Sequence, residues 1–166
     1  MFTTIERFPD YEIDITGQVR TKKTKYLKSC KLDRGGYYIY QLQLDKKEHN
    51  INRHRLIAET FIPNPNNKWC VDHINGIRTD DRLENLRWAT ASENLQNKTK
   101  QCNGHYSIYK GVSFDKNRNK WKVRINKNGK PVFQARFDTE REAVEAYNKN
   151  ATIHFGEFAR LNVFQN

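Results

Sequence analysis

Four polar residues near the middle of the chain have the side-chain types that hydrolysis of a phosphodiester needs. Asp72 and His73 are adjacent, Asn85 follows 13 residues after Asp72, and Asn94 follows 22 residues after it. A neutral imidazole can accept a proton from water at neutral pH. Hard divalent cations such as Mg²⁺ prefer oxygen ligands, which a carboxylate and a side-chain amide supply. A base and oxygen ligands for a metal ion are therefore the chemistry that these side-chain types can supply.

The segments around these residues predict a strand, a loop, a second strand and a helix. Residues 69–71 are apolar and typical of a strand, and successive residues of a strand point to opposite faces, so the adjacent Asp-His pair has two different sets of partners. Residues 85–88 are typical of a return strand. A helix is expected to begin near Thr90, because a glutamate follows that threonine at capping-box spacing. Such a helix can bring Asn94 back beside Asp72.

This segment resembles the HNH motif in the form found in phage and viral homing endonucleases. The match includes two short stretches beside the four polar residues, Trp88-Ala89-Thr90 and Ser92-Glu93-Asn94. The resemblance implies a ββα-metal finger in which Asp72 and Asn94 hold one Mg²⁺ or Mn²⁺ ion. It further implies that His73 is the catalytic base and that Asn85 positions it. The final metal-binding position is histidine in many members of the family and asparagine here.

The composition favours a protein that binds nucleic acid. The chain has 166 residues, with 30 lysines and arginines against 19 acidic residues and a formal net charge of +11. Only 36% of the residues are hydrophobic, so one large core is not expected and the length suits one domain or two or three very small ones. The net charge is +8 over residues 98–166 and +3 over residues 1–97. The C-terminal part is therefore expected to bind phosphate, although a merely basic or ribosome-like protein shares this composition.

The cysteines and the hydropathy pattern predict an intracellular protein. Cys30, Cys70 and Cys102 are dispersed and none forms a Cys-x-x-Cys pair, which argues against a zinc ribbon and fits a reducing compartment. The sequence shows no signal peptide and no long apolar segment, so no membrane association is expected.

Residues 1–52 are predicted to form a small β-rich module that contacts DNA. Strands are expected near residues 11–15, 18–20, 37–44 and 50–52. The stretch resembles the NUMOD-type module that precedes HNH domains, through Phe8-Pro9-Asp10-Tyr11-Glu12-Ile13 and Gly17-Gln18-Val19-Arg20. The role implied by the resemblance is contact with DNA, for which the candidates are Lys22, Lys23 and Lys25. A solvated, charged loop is the alternative interpretation of these lysines.

Residues 53–97 are predicted to form the nuclease domain, and residues 98–107 a polar linker. Apolar residues at helical spacing predict a helix over residues 54–61, and Pro63 ends it. His54 has the chemistry of a metal ligand. No other residue at ligand spacing is expected to face it, so a structural hydrogen bond is the expected role.

Residues 108–166 are predicted to form a three-stranded antiparallel sheet with one helix on its back. Residues 120–125 and 132–137 alternate between apolar and polar, Asn128-Gly129 is a strong hairpin signal, and Thr139 opens a capping box. The unit resembles the plant APETALA or ethylene-response type of DNA-binding domain. That likeness rests on Gly111-Val112, Trp121, Ala146-Tyr147 and Phe155-Gly156-Glu157-Phe158-Ala159-Arg160-Leu161-Asn162.

The exposed face of this predicted sheet suits the major groove of DNA, where arginine and glutamine can read base edges and lysine can hold phosphate. The candidate DNA-binding residues are Lys120, Lys122, Arg124, Gln134 and Arg136. A basic but merely solvated sheet face is the alternative.

Together these observations predict an α+β protein with a ββα-metal finger between an N-terminal β-rich module and a C-terminal sheet with its helix. The implied function is site-specific cleavage of double-stranded DNA, of the homing type. A monomer would have one active site, so nicking of one strand is the simpler expectation. The alternative functions are a catalytically inactive, site-specific DNA-binding regulator and an RNA-binding protein. An RNA-binding function would leave the Asp72, His73, Asn85 and Asn94 pattern unexplained.

Overall fold

A computed structural model describes residues 1–100 and 106–164 of the chain. Its helices and antiparallel strands agree with the predicted mixed class of fold. The chain divides into two compact units, Met1–Thr90 and Ala91–Asn166. Within the described residues, no helix has the length and hydropathy needed to cross a membrane.

The first unit begins with two three-stranded antiparallel sheets. The first sheet has the order β1 (Phe2–Ile5), β2 (Phe8–Asp14) and β3 (Val19–Thr21), and the second has the order β4 (Lys31–Leu32), β5 (Tyr38–Leu44) and β6 (Lys47–Asn52). Alternation of buried and exposed residues explains these strands, since Tyr11 and Ile13 on β2 and Tyr40 and Leu42 on β5 point into the unit.

The next elements carry the segment with the predicted chemistry. Helix α1 (Arg53–Phe61) buries Leu56, Ile57 and Ala58 and ends two residues before Pro63. Strands β7 (Cys70–His73) and β8 (Leu86–Ala89) pair antiparallel, and a 3₁₀ turn at Leu83–Asn85 leads into β8.

One hydrophobic core joins these elements of the first unit. Its buried side chains come from both N-terminal sheets, from α1 and from β8, and they include Phe8, Ile13, Leu42, Ile57 and Leu86. The compact unit therefore differs from the predicted division into residues 1–52 and 53–97. The β-rich segment of about 50 residues instead shares its core with α1 and β8, which increases the apolar surface that the unit buries.

The second unit has the strand order β11 (Lys130–Phe137), β10 (Lys120–Lys127) and β9 (Val112–Asp115). Asn128 and Gly129 join β10 to β11 with φ of 52° and 77°, as the hairpin signal predicts. Helix α3 (Glu140–Phe155) begins with the capping box of Thr139 and Glu142. A 3₁₀ turn at Gly156–Phe158 follows α3.

The core of this unit lies between the sheet and α3. Val112, Val123 and Ile125 from the sheet meet Val144 and Tyr147 from the helix. All of these side chains are buried, and the polar residues between them on β10 point away from α3.

Helix α2 (Ala91–Asn97) also belongs to the second unit, so the observed boundary precedes the predicted one at residue 98. The Lys110 ammonium donates to the Gln96 carbonyl and, at 2.7 Å, to the Lys98 carbonyl. Burial, with a smaller effect of Arg160, lowers the pKa of Lys110 to about 8. Of the predicted linker, residues 101–105 lie outside the described residues, and so does Cys102. Cys30 and Cys70 are free thiols.

Candidate functional site

Asp72 and His73 lie at the end of β7 and are both buried. Pairing with β8 places Arg87 opposite Asp72, and Arg87 Nε and Nη2 each lie 2.9 Å from Asp72 Oδ2. His73 points to the other face of the strand, as the pleat requires. The sequence therefore delivers a carboxylate and an imidazole to the same point of the fold with separate partners.

The His73 ring is held by a carboxylate that the sequence analysis did not single out. His73 Nε2 lies 2.8 Å from Asp81 Oδ1, and Asp81 Oδ2 accepts a hydrogen bond of 2.8 Å from Arg53 Nε. Burial raises the pKa of Asp81, but the hydrogen bonds from His73 and Arg53 and the charge of Arg53 outweigh it, so the net pKa lies below the usual range. Asp81 belongs to the polar loop after β7 and follows His73 by eight residues. Neither the strand period nor the helix period of the sequence relates two residues across such a loop.

Asn85 bonds across the loop between β7 and β8. Its Oδ1 accepts from the Asn75 backbone N–H at 3.0 Å, and its Nδ2 donates to Asn75 Oδ1 at 3.0 Å and to the Asp80 carbonyl at 2.7 Å. The Ile74 N–H donates to the Asn85 carbonyl at 2.9 Å. Asn85 thus fixes the turn that directly follows His73. The predicted role in positioning the base stays a prediction.

The His54 ring packs against the His73 ring. The two ring centroids are 4.9 Å apart in an edge-to-face arrangement, and no described group hydrogen-bonds to the buried His54 Nδ1. Burial, and next the charge of His73, lower the pKa of His54 to about 4, so the ring is neutral at pH 7. The expectation that no residue at ligand spacing faces His54 is wrong, since α1, β7 and the loop bring three donor side chains together.

Ligand atoms of His54, His73 and Asp81 all lie within 4.8 Å of one another. Two imidazoles and one carboxylate form a softer donor set than Mg²⁺ prefers, and they suit a transition metal better. Asp81 is bonded to His73 and Arg53, and Asp72 is likewise bonded to Arg87 through Oδ2. The oxygens of Asp72 and Asn94 have the chemistry that Mg²⁺ or Mn²⁺ requires. Asn94 lies on α2 in the second unit, so the shared ion stays a prediction.

The candidate DNA-binding lysines of the first unit lie in the turn that follows β3. Lys22, Lys23 and Lys25 are exposed, and Lys25 Nζ lies 3.1 and 3.2 Å from the two carboxylate oxygens of Glu12. Hydrogen bonds from Lys25 and Arg20 lower the pKa of Glu12. The side chain of Lys25 is 52% exposed and that of Glu12 is 12% exposed.

The candidate residues of the second unit share one face of its sheet. The strand register places Arg124 beside Gln134 and Lys122 beside Arg136. Three of the cations bond to neighbours on the protein: Arg136 Nε to Asp115 Oδ2 at 3.0 Å, Arg124 Nε to Asn126 Oδ1 at 3.1 Å, and Lys120 Nζ to Asp138 Oδ1. The face is thus basic and polar, with acidic side chains at its edges.

The sequence around the site is similar to known proteins, and so is the fold of the chain. Residues 52–96 match the HNH endonuclease family. A protein of Acanthamoeba polyphaga mimivirus described as an uncharacterized HNH endonuclease is 43% identical over 97 residues, which cover 55% of this chain and 24% of the relative. Protein 3.8 of Escherichia phage T7 is 37% identical over 95 residues, which cover 56% of this chain and 75% of the relative.

A solved structure of the HNH homing endonuclease I-HmuI has the same fold. The TM-score is 0.56 at 20% identity, and the alignment covers 95% of this chain and 94% of the other. The chain spans 24%, 34% and 62% of the length of three mimivirus relatives that it matches. The match of residues 52–96 contains Asp72, His73, Asn85 and Asn94. The chain belongs to the HNH endonuclease family.

Proposed function

We propose that the protein is a site-specific DNA endonuclease of the homing type, in which His73 is the general base. The observation that carries this proposal is the anchored imidazole at the end of β7, bonded to Asp81 and adjacent in sequence to the buried carboxylate of Asp72. This pair lies inside the segment that matches the family. A purely structural role for His73 would explain neither the adjacent carboxylate of Asp72 nor the basic composition of the chain.

Asp72 and Asn94 are proposed to hold one Mg²⁺ or Mn²⁺ ion, because carboxylate and amide oxygens are hard donors. When bound, such an ion supplies positive charge to the phosphate and to the leaving oxygen. The other steps belong to side chains of this chain. His73 accepts the proton of the attacking water, and Asn85 keeps the following turn in place.

The basic side chains are proposed to select and hold double-stranded DNA. The turn with Lys22, Lys23 and Lys25 serves as the contact of a NUMOD-type module at residues 1–52. The sheet face with Lys120, Lys122, Arg124, Gln134 and Arg136 serves as that of an APETALA-type domain at residues 108–166. We propose that the protein acts as a monomer inside the cell that holds its target, and that its one active site nicks one strand.

Cleavage of a random-sequence duplex library tests this function. Incubation of the full chain with Mg²⁺ is expected to produce new ends at a limited set of sequences, and EDTA is expected to abolish them. Sequencing of the ends then gives the target and shows whether one or both strands are cut. Electron paramagnetic resonance of Mn²⁺ provides a readout besides activity, because D72N and N94A are expected to weaken binding of the ion.

Two results would contradict the proposal. Sequence-specific binding without cleavage in Mg²⁺ or Mn²⁺ would identify a catalytically inactive DNA-binding regulator. Stronger competition by RNA than by duplex DNA would identify an RNA-binding protein.

A further inference from the structure

The His73 imidazole can serve as a base only through a ring nitrogen that carries no proton. A neutral imidazole has one protonated and one free nitrogen, and the hydrogen bond at one nitrogen decides the state of the other. His73 is only 6% exposed, so the protein and not bulk water sets this choice.

Asp81 determines which ring nitrogen of His73 carries the proton, through its contact with Nε2. The 2.8 Å separation between His73 Nε2 and Asp81 Oδ1 is a hydrogen bond. An ionised carboxylate can only accept, so the proton lies on Nε2 and the lone pair lies on Nδ1. The low pKa of Asp81 keeps the carboxylate ionised at neutral pH.

The carboxylate is itself held in place. The Asp81 side chain is 1% exposed, and its second oxygen accepts from Arg53 Nε at 2.8 Å. The Arg53 guanidinium lies 4.1 Å from the centroid of the Tyr38 ring. With both oxygens engaged by groups on α1 and β7, the carboxylate cannot rotate away from His73.

Asn85 has a different part in the site. The hydrogen bonds of its side chain go to Asn75 and to the Asp80 carbonyl. They fix the path of the loop, whereas Asp81 contacts the ring directly.

We propose that Asp81, anchored by Arg53, is the positioning residue that keeps the proton of His73 on Nε2 and so makes Nδ1 the base. This inference rests on the proposed function of His73. Asp81 touches no substrate and acts through the imidazole.

A double-mutant cycle on single-turnover cleavage tests the proposal. D81A is expected to lower the rate about 10- to 100-fold, the usual effect of losing a partner that orients an active-site ligand or base. In an H73A background, D81A is expected to cause no further loss of cleavage rate, because the imidazole that Asp81 orients is absent. D81N keeps an oxygen acceptor for Nε2–H and is expected to lose less than about tenfold.

Nitrogen-15 NMR of His73 gives a readout that does not depend on activity. The wild-type spectrum is expected to show the proton on Nε2, and D81A is expected to show a mixture of tautomers. If D81A leaves Arg53 buried without a partner and fails to fold, R53M/D81A removes both charges and gives the same comparison.

Three outcomes would overturn the proposal: a proton on Nδ1 in the wild type, cleavage by folded D81A at the wild-type rate, or an equal loss from D81A with and without His73. Each can be told from failure of the proposed function, in which the wild type would not cleave DNA or H73A would cleave as fast as the wild type.

Discussion

At the scale of single residues, His54 shows how the fold sets the charge of the site. The ring is 7% exposed and packs edge to face on His73. Desolvation penalises its charged form, so it stays neutral where a solvated histidine would begin to accept a proton. A second positive charge beside His73 would compete with protonation of the base during the reaction.

This depressed pKa predicts a loss of stability in acid. The unfolded chain binds a proton at His54 near pH 6.5 and the folded protein only near pH 4. The free energy of unfolding therefore rises with pH between these values, and the contribution is complete above about pH 6.5. His54 is expected to account for roughly 2–3 kcal/mol of this rise.

Urea denaturation at pH 7 and at pH 4.5 measures this effect. H54F keeps an aromatic ring at the position and removes the titration, so its stability is expected to fall less than that of the wild type over the same interval. An equal fall in both proteins would show that His54 titrates normally in the folded state.

The sequence identifies the residues whose chemistry repeats a known spacing, and it misses those that act through the fold. Asp72 and His73 are recognisable because they follow an apolar strand and precede two asparagines at defined distances. Asp81 and Arg53 are not, because an acidic residue in a polar loop and an arginine at a helix start are normally solvated. Only the packing of α1 against the loop brings Arg53 to Asp81, which in turn bonds to His73.

At the scale of elements, the turn before β9 depends on a glycine that lies against α3. Gly111 has a φ of +72°, and a Cβ built there would lie 2.4 Å from two atoms of the Tyr147 ring. Tyr147 is one of the largest buried side chains of the chain. Close approach of the turn and the helix is therefore part of the packing of the sheet.

Alanine at position 111 is expected to destabilise the second unit by about 2–5 kcal/mol, through left-handed backbone strain together with displacement of the Tyr147 ring. G129A is the matched control, since Gly129 has a φ of +77° and nothing within 4 Å of a built Cβ. It is expected to lose only about 1–2 kcal/mol, the cost of the backbone strain. Chemical denaturation measures both, and equal losses would refute a role for the contact with Tyr147.

The sheet face of the second unit predicts two different effects on DNA binding. Lys122 is proposed to contact phosphate, so K122A is expected to weaken binding uniformly across sequences and to reduce the slope of log K against log salt by about 1. Arg124 beside Gln134 is expected to read bases, so R124A should cost about 1–3 kcal/mol and relax the sequence preference.

Fluorescence anisotropy with the selected target over a range of salt concentrations tests both expectations. K149A removes the same charge from an exposed position on α3 and serves as the control. Equal effects of K122A and K149A would show that this sheet face has no particular role in DNA binding.

At the scale of the whole molecule, the strand and helix periodicities predict the mixed class of fold and the hairpin and helix cap of the second unit. They do not predict how the first 90 residues form one unit. A core shared by two short sheets, α1 and β8 depends on contacts between residues far apart in sequence, and no local pattern records these.

Single-turnover cleavage by H73A tests the central claim most directly. In Mg²⁺, with the target from the selected library, the variant is expected to cleave about two to four decades more slowly than the wild type without losing affinity for DNA, because general-base catalysis usually contributes that much. H49A, whose ring on strand β6 packs against Phe8, is the control and is expected to cleave like the wild type. Undiminished cleavage by folded H73A would contradict the assignment of His73 as the base and the nuclease mechanism built on it.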